Sequence, residues 1–82
     1  MSPEGAHKNS AERLVMMANQ IGRFFAHRGE AKAVPAIAEH LTKFWDPRMR
    51  DAILAHLANG GGGLEPFPLK AVQTLAKETE PH

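Results

Sequence analysis

The chain has 82 residues, 43% of them hydrophobic, a net charge of +1 and no cysteine. That length holds one small domain with a single core, and the missing thiols exclude disulfides, iron–sulfur ligation, thiolate zinc sites and a cysteine nucleophile. Charges of both signs are spread along the whole chain, whereas a nucleic-acid binder gathers its cations on one face to neutralise phosphates.

Met1 to Ser10 is polar, without the apolar centre of a signal peptide. Residues 1–9 read as a flexible leader, 10–78 as a single helical domain and 79–82 as a frayed tail. Asn9 or Ser10 is placed to cap a first helix over about 11–28, and Asn9 with Glu12 has capping-box spacing. Gly29 is the expected stop. Leu14, Met17, Ala18, Ile21, Phe24 and Phe25 recur with the helical period and form one apolar stripe, while Met16 falls outside it.

The second helix is predicted over about 31–45, with Pro35 tolerated near its first turn. Its stripe is Val34, Ile37, Ala38, Leu41, Phe44 and Trp45, with Trp45 near the centre and Phe44 at the edge. Asp46-Pro47 then separates two helices. Proline disfavours helical geometry at Asp46, which frees Asp46 to be an N-cap with Pro47 at the first helical position. The third helix, about 47–58, has a narrow face of Met49, Ala52, Ile53 and Leu57, and Leu54 points elsewhere. The run "NGGGG" at 59–63 reads as a flexible loop or hinge that lets a fourth helix, about 66–77, dock through Leu69, Val72, Leu75 and Ala76. With no alternating strand pattern, the fold class is all-α, a small bundle of three to four helices with a glycine-rich loop before the last. No apolar run approaches the 18 or so residues of a membrane span, so the expected setting is cytoplasmic, with no membrane or nucleic-acid partner.

"LVMMANQIGRFF" (Leu14–Phe25) and "VPAIAEHLTKFW" (Val34–Trp45) share one template of apolar, small, basic and aromatic positions. Matched stripes suit an antiparallel hairpin, although two copies are too few for a repeat protein.

Catalytic constellations are not legible. Of the five histidines, His7 and His82 lie in the presumed tails, and His27, His40 and His56 have no ligand partner at i+3 or i+4 on their own helices. The glycine run lacks the lysine and hydroxyl residue of a phosphate loop; Pro66 and Pro68 remove N–H donors beyond it, and Glu65 would repel an anion. Ser2 and Ser10 sit in no strained elbow. Glu39, Asp46 and Asp51 have no spacing that singles out an acid–base pair. No catalytic, cofactor-binding or metal residue is assigned.

What remains is surface. Met16, Phe24, Phe44 and Leu54 lie at or beyond the edges of their stripes, and aromatic, methionine and arginine side chains are enriched at the centres of interfaces. Arg48 and Arg50 lie about 200° apart on a helix, so one is expected to face a partner while the other pairs internally. The candidate interface is therefore Phe44, Asp46, Arg48 and Arg50, joined by Met16, Phe24 and Leu54. Trp45, Pro47 and Gly29 are read as structural. The alternatives are a helix-turn-helix-like DNA-binding module, with Asp46 and Asp51 flanking its arginines, and a free-standing helical adaptor or dimer.

Together "RLVMMANQIGRFF", "IAEHLTKFWDPRMR" and "ILAHLANGGGGLEP" resemble the delta subunit of the soluble NAD-dependent formate dehydrogenases, over about Arg13 to Leu75. "MANQI" and "FWDPRMR" are its specific pieces; the glycine run and Pro68 depart from the pattern. The resemblance implies a non-catalytic accessory subunit supporting assembly, stability or cofactor maturation of a molybdenum-containing catalytic alpha subunit. It further implies a complex with beta and gamma subunits that converts formate and NAD to carbon dioxide and NADH. In such a complex molybdenum bis-guanine-dinucleotide, Fe–S clusters, FMN and NAD belong to the other subunits.

Overall fold

A computed structural model describes residues 3–79, with side chains described over 11–78. Four helices follow one another: α1 (Pro3–Phe25), continued by a 3-10 turn at Ala26–Arg28, α2 (Glu30–Phe44), α3 (Pro47–Ala58) and α4 (Pro66–Thr79). Among the described residues there is no strand. The protein is an all-α bundle. Among the described residues no helix is long and apolar enough to cross a membrane.

The first helix begins at Pro3 rather than near Ala11, so Asn9 and Ser10 lie inside it and not at its start. Its backbone covers residues 3–9 of the expected leader. Met1 and Ser2 lie outside the described residues, as do residues 80–82 of the expected tail. Gly29 joins the first two helices: its N–H donates to the Ala26 carbonyl at 3.0 Å, and its own carbonyl accepts from Ala33 at 2.8 Å.

The core is built from Leu14, Val15 and Ala18 of α1, Ile37, Ala38 and Leu41 of α2, Ile53 of α3, Ala71, Val72 and Leu75 of α4, and Trp45 at the α2–α3 joint. α2 and α4 share the largest contact. Small side chains are fully buried on three of the helices: Ala18 of α1, Ala33 of α2 and Ala71 of α4. At Gly22 there is no room even for a methyl group, because an added Cβ would stand 2.6 Å from the Pro68 ring. The glycine inside the α1 stripe is therefore a contact point for α4.

The joint between α2 and α3 satisfies its own backbone. Helix α2 stops at Phe44, one residue short of the expected end, because Trp45 and Asp46 are extended ahead of Pro47. The Asp46 carboxylate accepts the Met49 N–H at 2.9 Å, leaving fewer orphan donors at the start of α3. In the reverse direction Arg50 of α3 donates to the Thr42 carbonyl at 3.1 Å and to the Trp45 carbonyl. These are free carbonyls at the end of α2, where a cation also complements the helix dipole. The joint thus caps the start of α3 through Asp46, and α3 caps the end of α2 through Arg50.

The glycine run is not a free hinge. Gly60 donates to Leu57 O and Gly61 to His56 O, the paired bonds of a Schellman ending that needs positive φ at Gly60 (113°). Beyond that turn the His56 ring lies 2.6 Å from the Gly62 carbonyl; a carbonyl only accepts, so Nε2 carries the hydrogen. The segment is tied down because its carbonyls find donors on α1 and α3.

Candidate partner-binding surface

Asn19 sets the geometry of one face. Its amide donates to the Gly63 carbonyl at 3.0 Å and its carbonyl accepts the Glu65 N–H at 2.9 Å. One turn later Arg23 engages Glu65 with two nitrogens, the closer contact being 2.5 Å. The hydrogen bond and the charge of Glu65 raise the Arg23 pKa above its usual value. Two residues at i and i+4 on α1 therefore hold the entry to α4. Pro66 and Pro68 take the first and third helical positions, where the N–H would have no helical partner.

With α4 fixed on one side of α1, an aromatic row forms on another. Phe24 meets Phe25 edge-on with ring centres 5.1 Å apart. Phe25 is 6.3 Å from His40, and His40 is 4.7 Å from Phe44. The Arg28 guanidinium lies 4.9 Å from the centre of the Phe25 ring. The two ends of this row face solvent: Phe24 is 70% exposed and Phe44 71%. They occupy matching places in the two similar segments of sequence, each just ahead of a more buried aromatic, Phe25 or Trp45. Contacts between the half-buried Phe25 and His40 rings fix the middle of the row and leave both ends available.

The residues singled out from sequence divide by environment. Among the described residues Phe24, Phe44 and Met16 are the large exposed hydrophobic side chains. Arg48 is exposed, and no ion pair holds it among the described residues. Asp46 is engaged as a cap and Arg50 in the α2 carbonyls, so both are used inside the chain. Leu54 is half buried against the core rather than outside it. Trp45 is 4% exposed.

Phe25, Arg28 and His40 were absent from that sequence-based selection. The available signal was spacing, since His40 stands one turn before Phe44 on the same face of α2. Asn19 was visible as a poor helix former in the interior of a long helix.

The three histidines whose side chains are described have separate surroundings. His27 lies in the 3-10 turn, His40 between two phenyl rings and His56 against the glycine loop. Among the described residues no three His, Asp or Glu side chains gather as a metal site.

Residues 13–72 match the family model of FdsD, the NADH-dependent formate dehydrogenase delta subunit. The chain belongs to the FdsD family. The match spans α1 from Arg13, the capped joint, the glycine loop and the first half of α4, so the Asn19 clamp and the aromatic row both lie within it. FdsD membership associates the chain with a formate dehydrogenase complex as its delta subunit. No curated protein and no solved structure matches the chain.

Proposed function

We propose that this delta subunit is a non-catalytic, cytoplasmic accessory that docks on the catalytic alpha subunit of the formate dehydrogenase and supports its assembly, stability or cofactor maturation. The observation that carries the reading is the aromatic row. Two phenylalanines, each about 70% exposed, stand on a rigid base of packed rings in a chain of only 82 residues. Rigid aromatic side chains lose little conformational entropy on binding and supply most of the energy where they act as anchors. In this reading the molybdenum bis-guanine-dinucleotide, Fe–S clusters, FMN and NAD site belong to the alpha, beta and gamma subunits, and a chain without thiols adds a docking surface.

The test is to express the formate dehydrogenase operon with and without this chain. Soluble yield of the catalytic subunit, its molybdenum content and formate-dependent NAD reduction are then measured. The reading predicts that omission lowers yield, metal loading or both, and activity in proportion. A fully loaded, fully active enzyme made without the chain would contradict it.

A further inference from the structure

A second feature lies between α1 and α3. Arg13, Leu14 and Met17 of α1 and Arg48, Met49 and Ala52 of α3 line an open groove of about 440 Å³. Its floor is apolar: Leu14 is buried, and Met17, Met49 and Ala52 are half buried against the core. Its two arginines come from different helices, one from each wall, and both are exposed. Among the described residues the ion pairs are Arg23–Glu65, Lys43–Glu39 and Lys70–Glu30. Neither groove arginine is in one. Glu12 and Asp51 lie close in sequence yet pair with neither, and Asp46 is turned to its cap.

An apolar trough between two uncompensated guanidinium groups has a definite complement. We infer that the groove receives a peptide segment of a partner subunit in the complex, with an apolar side chain between Met17 and Met49 and carboxylates that reach Arg13 and Arg48. Methionine suits the floor because its unbranched, polarizable chain adapts to the shape of an inserted residue. Arginine suits the walls because its planar fork takes a carboxylate with two hydrogen bonds. A nucleic-acid strand is a poorer complement, since the groove offers only two cations and no ring for a base to stack on. The inference rests on the proposed docking in the complex, but uses a different surface from the aromatic row.

The test converts each arginine to a chemically addressable amine without changing its charge. Arg13→Lys and Arg48→Lys variants of the full chain are assembled with the other formate dehydrogenase subunits. The complexes are treated with a water-soluble carbodiimide, which joins an amine directly to a carboxylate, and the linked peptides are mapped by mass spectrometry. The expected result is a link from each introduced amine to an Asp or Glu of the same partner segment. Arg13→Glu/Arg48→Glu should also lower retention of the chain in the complex at least tenfold. Links only to this chain's own acids, links to a second copy, or no link at either position while Lys43 or Lys70 does react would overturn the groove assignment. If wild-type chain fails to enter the complex at all, the docking proposal fails instead, which keeps the two results distinct.

Discussion

At the residue scale, much of the order in this chain rests on a few polar side chains that stand in for missing backbone partners. Asn19 is the clearest. Its one amide group accepts from Glu65 and donates to Gly63, fixing a segment that has no regular structure of its own. An Asn19→Ala chain leaves the partly buried Glu65 N–H without its acceptor, which costs about 1–3 kcal/mol. Urea denaturation should show that loss as a lower midpoint with an unchanged slope; an unchanged midpoint would mean that water replaces the amide. Asp46 acts alone on one N–H, so Asp46→Ala should cost about 1 kcal/mol. The same titration checks it.

At the scale of elements, the helix types and most boundaries were legible because hydrophobic period and punctuation agree. Gly29, Asp46-Pro47 and Pro66 each mark a joint through local chemistry. The start of α1 was not legible, since Asn9 and Ser10 have capping chemistry but the helix runs through them to Pro3. The glycine run misled for a related reason. Glycine permits flexibility, but here Asn19 of α1 and His56 of α3 donate to the Gly63 and Gly62 carbonyls and hold the run in place.

Trp45 and Gly22 are element-scale pins. Removing the Trp45 ring, 4% exposed, should cost about 3–5 kcal/mol, a large share of the roughly 5–15 kcal/mol by which domains are stable. Trp45→Ala should therefore lack a cooperative melt at 37 °C, and a melting temperature within a few degrees of wild type would mean that the ring is not holding the joint. Gly22→Ala pushes a methyl group into the buried Pro68 ring and should cost about 1–3 kcal/mol. Its thermal unfolding, followed by circular dichroism, would show whether α1 and α4 yield.

At the scale of the whole molecule, the candidate surface was partly written in the sequence. Phe24 and Phe44 could be found because they fall at the edges of their stripes. Phe25, His40 and Arg28 could not, because only the packing of α1 on α2 brings their rings and charge together. Arg48 and Arg50 show the same limit: helical spacing separates them, but only the fold shows that Arg50 is used within the joint while Arg48 is left beside the α1–α3 groove.

Phe24→Ser/Phe44→Ser removes the two exposed ends of the row without replacing a buried residue, so each site should lose no more than one ring contact, about 0.5–1.5 kcal/mol. The decisive measurement is co-purification of that double variant with tagged catalytic subunit, scored beside its circular dichroism melt. The docking reading predicts a cooperative melt well above the assay temperature with retention reduced at least about tenfold, since anchor residues contribute about 1–2 kcal/mol or more each. Wild-type retention by a folded double variant, with full formate-dependent NAD reduction, would contradict it.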